Sequence, residues 1–410
     1  MNDWRQRAAA LAEPLAARDG VDPQWAVAFA EVPRHVFVPR FYHDLDVPEL
    51  IDGTDPDQQQ EWLDGVYSDQ SLVTAHALIP GTNDVWLPTS SSTRPSLIAR
   101  MLTLLDVRYG HRVLEIGTGT GYDTALLCHR LGWGNVTSLD IDAQLVDLAR
   151  DRMATLGQHP TLVAANGTAG LAAHGPYDRI LATCAVPTIP TAWITQLRPG
   201  GLIVADLRGE LTSSLLVARS NGDGTVSGQF LDEPAHLMWL RAQVDNPLRD
   251  GGQLTTHSDY DGAHATATPF DADILDEPGL RVMLQFTAPD IDQIWTSARG
   301  GRTLVRVCDD RGAWAELDPT TGILLQDRPT DLVARVENAA HLWHEHGRPE
   351  PTRLGVTVDP TGWTLWRDSP QHPITWMPTG ERRATPMHPP RNPPMTASLR
   401  SACRRLIGYG

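Results

Sequence analysis

The stretch VLEIGTGTGYDTALL, residues 113–127, limits what this chain can fold into more than any other part of it. Val113, Leu114 and Ile116 suit a strand buried in a parallel sheet. Gly117, Gly119 and Gly121 then stand at every second position, and from Asp123 to Leu127 a helical pattern opens. Glycines so spaced allow a tight turn in which a ligand can approach bare backbone. The expected unit is therefore strand, turn and helix, with a binding site at the turn.

The units that follow repeat the pattern. Val136–Leu139 reads as a second strand closed by Asp140, and residues 143–156 place Leu145, Leu148, Ala149 and Met153 on one helical face. Residues 161–171 give a third strand cornered at Asn166 and Gly167, and YDRILAT, 177–183, a fourth. A loop and helix in CAVPTIPTAWITQLRPGG lead to a fifth strand, GLIVADLRG, 201–209. Alternation of this kind implies a doubly wound α/β sheet that binds ligands beyond the carboxyl ends of its strands. The glycine turn, Asp140, Asn166 and a loop made of Cys184, Ala185, Val186 and Pro187 all fall on that edge.

The turn reads GxGxG after Glu115, whereas a dinucleotide turn reads GxGxxG and seats a pyrophosphate on the next helix. S-adenosylmethionine has no phosphate and suits the shorter spacing, so the expected fold is that of a class I, Rossmann-like methyltransferase, and a nicotinamide oxidoreductase is disfavoured. Glu115, Gly117, Thr118, Gly119 and Gly121 are the expected cofactor contacts of the turn, with Asn166 and Gly167 at the third corner. Asp140, 19 residues after Gly121, is placed to accept hydrogen bonds from ribose hydroxyls. The competing reading is that Asp140 or Asp142 only caps the next helix.

Upstream, residues 4–19 fit an amphipathic helix, and Asp22-Pro23 caps a second. VPRHVFVPRFY, 32–42, breaks helix with two prolines. The acidic, Gln-rich residues 52–64 read as a solvated loop or, more sharply, a lid. Ser90, Ser91, Ser92 and Thr93 precede Pro95 and read as a loop feeding a helix from Ser96 to Leu105; such a run most often supplies an N-cap.

Composition removes several function classes. A formal charge of −16, with all 34 cations Arg, argues against a nucleic-acid or anionic-membrane surface. Runs of about 18 apolar residues and a signal-like amino terminus are both missing, which leads us to expect a cytoplasmic protein. Cys128, Cys184, Cys308 and Cys403 form no CxxC pair, so no disulfide framework or zinc site is expected.

Residues 210–235 predict strands joined by the SNGDGT hairpin turn, and residues 238–270 loop or edge structure. Beyond, LRVMLQFTAP, RTLVRVCDD, AWAELD, GILLQDR, LGVTVDPTG and WTLWRD read as short strands around a helix at 331–347. The expected division is a helical and loop region at 1–80, a cofactor-binding catalytic domain at 81–235, an additional α+β domain at 236–376 and a Pro/Arg-rich tail with a short terminal helix at 377–410. His341, His344, Glu345 and His346 do not match HExxH, so a solvated helix end is expected there and no metal. Seven of the 13 tryptophans follow residue 238. Core packing is the default for each; a peptide-binding face is the alternative.

Taken together, VPRHVFVP, TSSSTRP, VLEIGTGTGYDTALL, VTSLDID, YDRILAT and AVPTIPTAWITQLRPGGLIVADL resemble the protein-L-isoaspartate O-methyltransferase family over roughly residues 1–220. The resemblance implies methyl transfer from S-adenosylmethionine to an Asp or isoAsp carboxyl group of a peptide or protein. Thr93 falls where the family's active-site serine lies, so Thr93, helped by Ser92 or Ser91, is expected to hold the substrate carboxylate, and residues 184–187 to shape the peptide channel. Two motifs depart from the family: its G-Q-T-I-S-x-P is replaced by Thr89 to Pro95, and its G-D-G acid is Asn166. The long carboxy-terminal part looks more like a branch that methylates ribosomally made, modified peptides of the graspetide and lanthipeptide kind, whose esters close to aspartimide.

Overall fold

The computed structural model describes residues 3–43, 49–78, 86–209, 211–241, 264–267, 272–299, 302–309, 313–318, 320–326 and 331–378. The amino-terminal part comprises α1 (Asp3–Ala16), α2 (Pro23–Glu31), α3 (Arg34–Phe37), β1 (Arg40–Tyr42), β2 (Leu50–Asp52), α4 (Gln59–Val66), β3 (Leu72–Leu78) and β4 (Trp86–Ser92). Its four strands pair in the order β2-β1-β3-β4, which leaves β4 on an edge. The stretch expected to be a solvated loop is largely exposed, but its second half is helix α4, anchored by one buried side chain. Trp62 of α4 is buried and donates its indole N–H to the Val38 carbonyl at 2.9 Å, because an apolar ring on a polar helix must bury against the core beneath it.

The βα alternation follows: α5 (Pro95–Leu104), β5 (Val113–Ile116), α6 (Tyr122–Leu131), β6 (Val136–Asp140), α7 (Ala143–Thr155), β7 (Thr161–Ala164), β8 (Tyr177–Val186), α8 (Thr191–Gln196) and β9 (Leu197–Arg208). Strands β9, β8, β5, β6 and β7 pair in parallel. The expected hairpin is β10 (Ser213–Ser220) with β11 (Val226–Phe230), antiparallel and next to β9.

The carboxy-terminal part adds β12 (His264–Ala267), α9 (Pro278–Thr287), β13 (Ile291–Arg299), β14 (Arg302–Asp309), β15 (Trp314–Asp318), β16 (Ile323–Gln326), α10 (Leu332–Glu345), β17 (Leu354–Val358), β18 (Gly362–Arg367) and β19 (Pro373–Pro378). Strands β12–β16 form a separate five-stranded sheet, but β17, β18 and β19 join the first one. The result is a ten-stranded sheet in the order β19-β18-β17-β11-β10-β9-β8-β5-β6-β7. Strands from both sides of the expected boundary near residue 236 therefore share one sheet. One apolar core runs from Leu114 and Ile116 of β5 through Phe230 and Phe286 to Leu365 of β18, and the Phe286 ring lies 4.4 Å from that of Trp363.

Helices α2, α5, α6 and α7 cover the opposite face of the sheet. The segment LRVMLQFTAP, expected as a strand, is helix α9. Pro278 opens it, and Leu280 and every residue from Val282 to Phe286 are buried, a continuous buried run whose periodicity does not separate a buried helix from a buried strand. The tail from Met377 begins inside β19, and the expected terminal helix lies outside the described residues. Trp314, Trp343, Trp363 and Trp366 are buried while Trp376 is exposed, so core packing accounts for four of the late tryptophans.

Candidate active site

The glycine turn is held from three sides. Its first two amides, of Gly117 and Thr118, donate to the Leu139 carbonyl at the end of β6, at 2.7 and 3.0 Å. The Thr183 hydroxyl donates to the Gly117 carbonyl at 2.8 Å, and a Cβ on Gly117 would lie 2.6 Å from that hydroxyl oxygen. All three glycines have positive φ, with 104° at Gly117, 51° at Gly119 and 89° at Gly121. At Gly119 the direction of a side chain is nearly open: among the described residues the one neighbour of a Cβ there is the Ser91 carbonyl oxygen, 3.6 Å away.

Asp140 ends β6 on the same edge. One carboxylate oxygen accepts from the Gly119 amide at 2.8 Å and the other from the Asp142 amide at 3.0 Å. Burial raises its pKa, opposed by those two amides and by the charge of Arg241. Capping of α7 falls to Asp142, whose side chain accepts from the Gln144 and Leu145 amides. Asp140 is thus not the helix cap. Asn166 is exposed, and its side-chain oxygen accepts from the Thr168 amide and hydroxyl at 3.0 and 2.8 Å. Gly167 beside it is buried and closely packed, since a Cβ there would meet Ile116 at 2.5 Å.

Two residues expected among the cofactor contacts point the other way. Glu115 has no exposed surface and lies beneath α6, where the Thr124 hydroxyl donates to it; burial pushes its carboxyl up to about 8. It supports the turn from below. The Thr118 side chain is also buried, its hydroxyl 2.7 Å from that of Ser138.

Ser90, Ser91 and Ser92 are the end of edge strand β4, Thr93 lies in the short connection beyond it, and the run does not cap α5. The helix start is served from a distance: Asp69 accepts from the Ser96 amide at 2.8 Å and the Ser71 hydroxyl from the Arg94 amide at 3.0 Å. Strand alternation divides the run. Ser90 and Ser92 are buried, Ser90 accepting from the Thr74 hydroxyl and Ser92 from the Arg34 guanidinium, whereas Thr89 and Ser91 are half-buried on the other side. Ser92 therefore faces the core and Ser91 faces away from it, while Thr93, one residue past the strand, is half-buried.

The segment expected as a channel loop is also sheet. Cys184, Ala185 and Val186 are the buried end of β8, and only Pro187 lies beyond it. Burial pushes the Cys184 thiol well above its usual range. A strap, residues 237–241, crosses this end. The Ala185 amide donates to the Met238 carbonyl at 2.8 Å, and the Leu240 amide to the Ala185 carbonyl at 2.9 Å. The strap is anchored by Asp206 and Arg208 of β9, which accept from the Leu237 amide at 2.9 Å and donate to its carbonyl at 2.7 Å. Its last residue, Arg241, donates to the Thr89 carbonyl at 3.1 Å.

Sequence reasoning missed four charged residues around the site: Arg34, Asp123, Asp206 and Arg208. Arg34 and Asp206 carried a signal, since each stands among apolar residues bound for the core, where a charge is costly without partners. Asp123, in the first turn of α6, is pushed up to about 7 by burial, with Arg34 pulling it down. Among the described residues there is no group of three or more His, Cys, Asp or Glu that could hold a metal ion, and no helix long and apolar enough to cross a membrane.

Nothing phosphate-binding is built into the turn. What it offers is bare backbone, an acid at the end of the second strand and a side-chain amide at the third corner. That donor and acceptor set fits S-adenosylmethionine, with Asp140 suited to a ribose diol and Asn166 to an adenine edge.

Comparison with known proteins agrees. The family model described as protein-L-isoaspartate(D-aspartate) O-methyltransferase (PCMT) matches residues 64–237. Protein-L-isoaspartate O-methyltransferase 1 of Archaeoglobus fulgidus is 30% identical over 223 residues, covering 54% of this chain and 88% of that protein. The protein-L-isoaspartate O-methyltransferase of Methanosarcina mazei is 28% identical over 208 residues, covering 50% of this chain and 72% of its own. A solved structure titled protein-L-isoaspartate O-methyltransferase superposes with a TM-score of 0.50 at 20% identity, covering 87% of this chain and 96% of that one. That last likeness concerns the fold alone, and its coverage takes in strands well beyond residue 237. With a relative at 30% identity matched over nearly its whole length, the chain belongs to the protein-L-isoaspartate O-methyltransferase family.

Proposed function

We propose that this S-adenosylmethionine-dependent carboxyl methyltransferase esterifies an Asp or isoAsp side chain of a peptide or protein, with Thr93 and Ser91 holding the acceptor carboxylate. One observation carries the reading: the Ser91 carbonyl lies against the open side of Gly119, so the hydroxyl strand and the methyl-donor turn meet.

A carboxylate is ionised at neutral pH, with an ordinary pKa near 4, and needs no strong base to attack a methyl group. The demand is alignment at near-attack distance. Bound S-adenosylmethionine supplies an electrophilic methyl group on a sulfonium. Asp140, the three glycines and Asn166 are the residues that would hold it. The hydroxyls of Thr93 and Ser91 suit the acceptor because they donate hydrogen bonds without adding charge. The strap, with Leu240 packed near Gly167, keeps water from the edge of the sheet.

The ester is a better acyl donor than the carboxylate. The neighbouring backbone nitrogen attacks its carbonyl and methanol leaves with the amide proton, which gives an aspartimide. Two settings use that step. Tailoring of a constrained Asp in a modified peptide is supported by the two motif departures at Thr89–Pro95 and Asn166. Repair of isoAsp in proteins is supported by the names of the matched relatives. The carboxy-terminal part, whose strands β17–β19 continue the catalytic sheet, is the proposed peptide-recognition element in either setting.

Peptides that differ only in Asp or isoAsp at one position separate the two: methylation of isoAsp alone assigns repair, and methylation of Asp in a constrained ring assigns tailoring. Thr93→Val should lower kcat by about 100-fold, the scale of a 1 Å misplacement, with cofactor affinity unchanged. Parent-like activity in that variant would sink the carboxylate role.

A further inference from the structure

Arg34 belongs to the VPRHVFVP segment that the functional reading leaves without a task. Its side chain is fully buried. The guanidinium donates to the carbonyls of Val66, Ser68 and Gln70 at 3.0, 3.0 and 3.1 Å, which pins the turn after α4. On its other side it donates to the Ser92 hydroxyl at 3.1 and 3.2 Å, the Ser92 carbonyl at 3.2 Å and the Thr93 carbonyl at 3.2 Å. It also lies over the ring of Tyr122, 5.7 Å from the centroid, and Tyr122 directly follows the last glycine of the turn.

A buried cation bonded to so many acceptors fixes the backbone that carries them. Arginine's planar fork of five donors can span two segments at once; the three donors of an ammonium on a flexible stem cannot reproduce that pattern. Asp69, which caps α5 through the Ser96 amide, and Asp123 of α6 supply the opposing charge. One guanidinium thus ties together the β4–α5 corner, the turn after α4 and the start of α6.

We propose that Arg34 is a positioning residue for methyl transfer, one that sets the direction of the Thr93 hydroxyl relative to the glycine turn. The inference rests on the proposed role of Thr93. It does not place Arg34 in contact with substrate or cofactor.

The test uses the full chain with Arg34→Lys and Arg34→Ala. Binding of S-adenosylhomocysteine by calorimetry serves as the measure of folding, and initial rates are taken with an isoAsp peptide and with an Asp peptide. Arg34→Lys is expected to lose about 100-fold in kcat, the cost of an ångström of misplacement, while the Kd for S-adenosylhomocysteine stays within about threefold, the range of a weak indirect effect. Millimolar guanidinium should restore part of the rate of Arg34→Ala, and methylammonium should not. A kcat for Arg34→Lys equal to that of the parent overturns the proposal, as does a loss that only follows lost cofactor binding.

Hydrogen exchange covers the remaining cases. Amides of residues 92–97 should exchange faster in Arg34→Lys, and unchanged exchange there overturns the proposal whatever the activity. If the parent methylates neither peptide, the functional reading fails while exchange still decides the part played by Arg34. If Arg34→Ala does not fold, Arg34→Lys decides alone.

Discussion

Replacement of Glu115 by glutamine tests the buried strut beneath the cofactor turn. Burial raises its carboxyl from 4.5 to about 8, with the charge of Asp123 adding to the effect and the Thr124 hydroxyl opposing it. Between those values the folded chain keeps a proton that the unfolded chain has lost. The associated stability is fully present below pH 4.5 and is lost as pH rises towards 8. The slope is about 1.4 kcal/mol per pH unit. From pH 5.5 to 8 the parent should therefore lose about 3 kcal/mol through this one group. Glu115→Gln cannot ionise, so that loss should vanish from it. Urea unfolding of both proteins at several pH values gives the difference in stability, in which the other titrating groups largely cancel. The advantage of the variant should widen by about 3 kcal/mol over that range. A difference that stays constant with pH would mean that Glu115 is ionised in the fold, and the strut as described would be wrong.

Two further substitutions probe the turn itself. Asp140→Ala should weaken S-adenosylhomocysteine binding by about 1.5–3 kcal/mol, the worth of a hydrogen bond to a charged group, whereas Asp142→Ala should cost about 1 kcal/mol of stability as a lost helix cap; calorimetry and urea unfolding of the pair show whether the two roles are separate. Gly121→Ala forces a side chain to a φ of 89° and to within 2.9 Å of the Ala149 Cβ. It should lose about 2–3 kcal/mol through left-handed strain and displacement of α7, and a loss under about 0.5 kcal/mol, the range of a neutral surface change, would show that the turn tolerates a Cβ.

The parallel core was legible because its signals are local. Apolar runs followed by Gly117, Asp140 and Asn166 place strands and corners without any knowledge of what packs on them, and β5, β6 and α7 lie where the spacing puts them. Three features were illegible because tertiary pairing decides them. Ser90, Ser91 and Ser92 extend as β4 since β3 supplies their ladder, and a run of serines carries no strand signal of its own. Residues 184–186 stay in β8 because β9 pairs with Ala185 and Val186 on one side and the distant strap with Ala185 on the other. The carboxy-terminal strands join the first sheet because the β11 edge accepts β17, and such an edge is a standing invitation to pair. Within the site, the glycines and Asp140 stand at the edge as their spacing implies. The inward turn of Ser92 follows from strand alternation, which a motif read as a string conceals, whereas Glu115 is enclosed because both faces of β5 are covered and Thr118 because the turn sets its hydroxyl against Ser138.

The central claim is carboxyl methylation, and its most direct measurement is the mass of an isoAsp peptide and of its Asp counterpart after incubation with the enzyme and S-adenosylmethionine. The account predicts that one of them gains a single methyl group as a base-labile ester and then loses methanol to give a succinimide. Binding of S-adenosylmethionine without a base-labile mass gain on either peptide would contradict it.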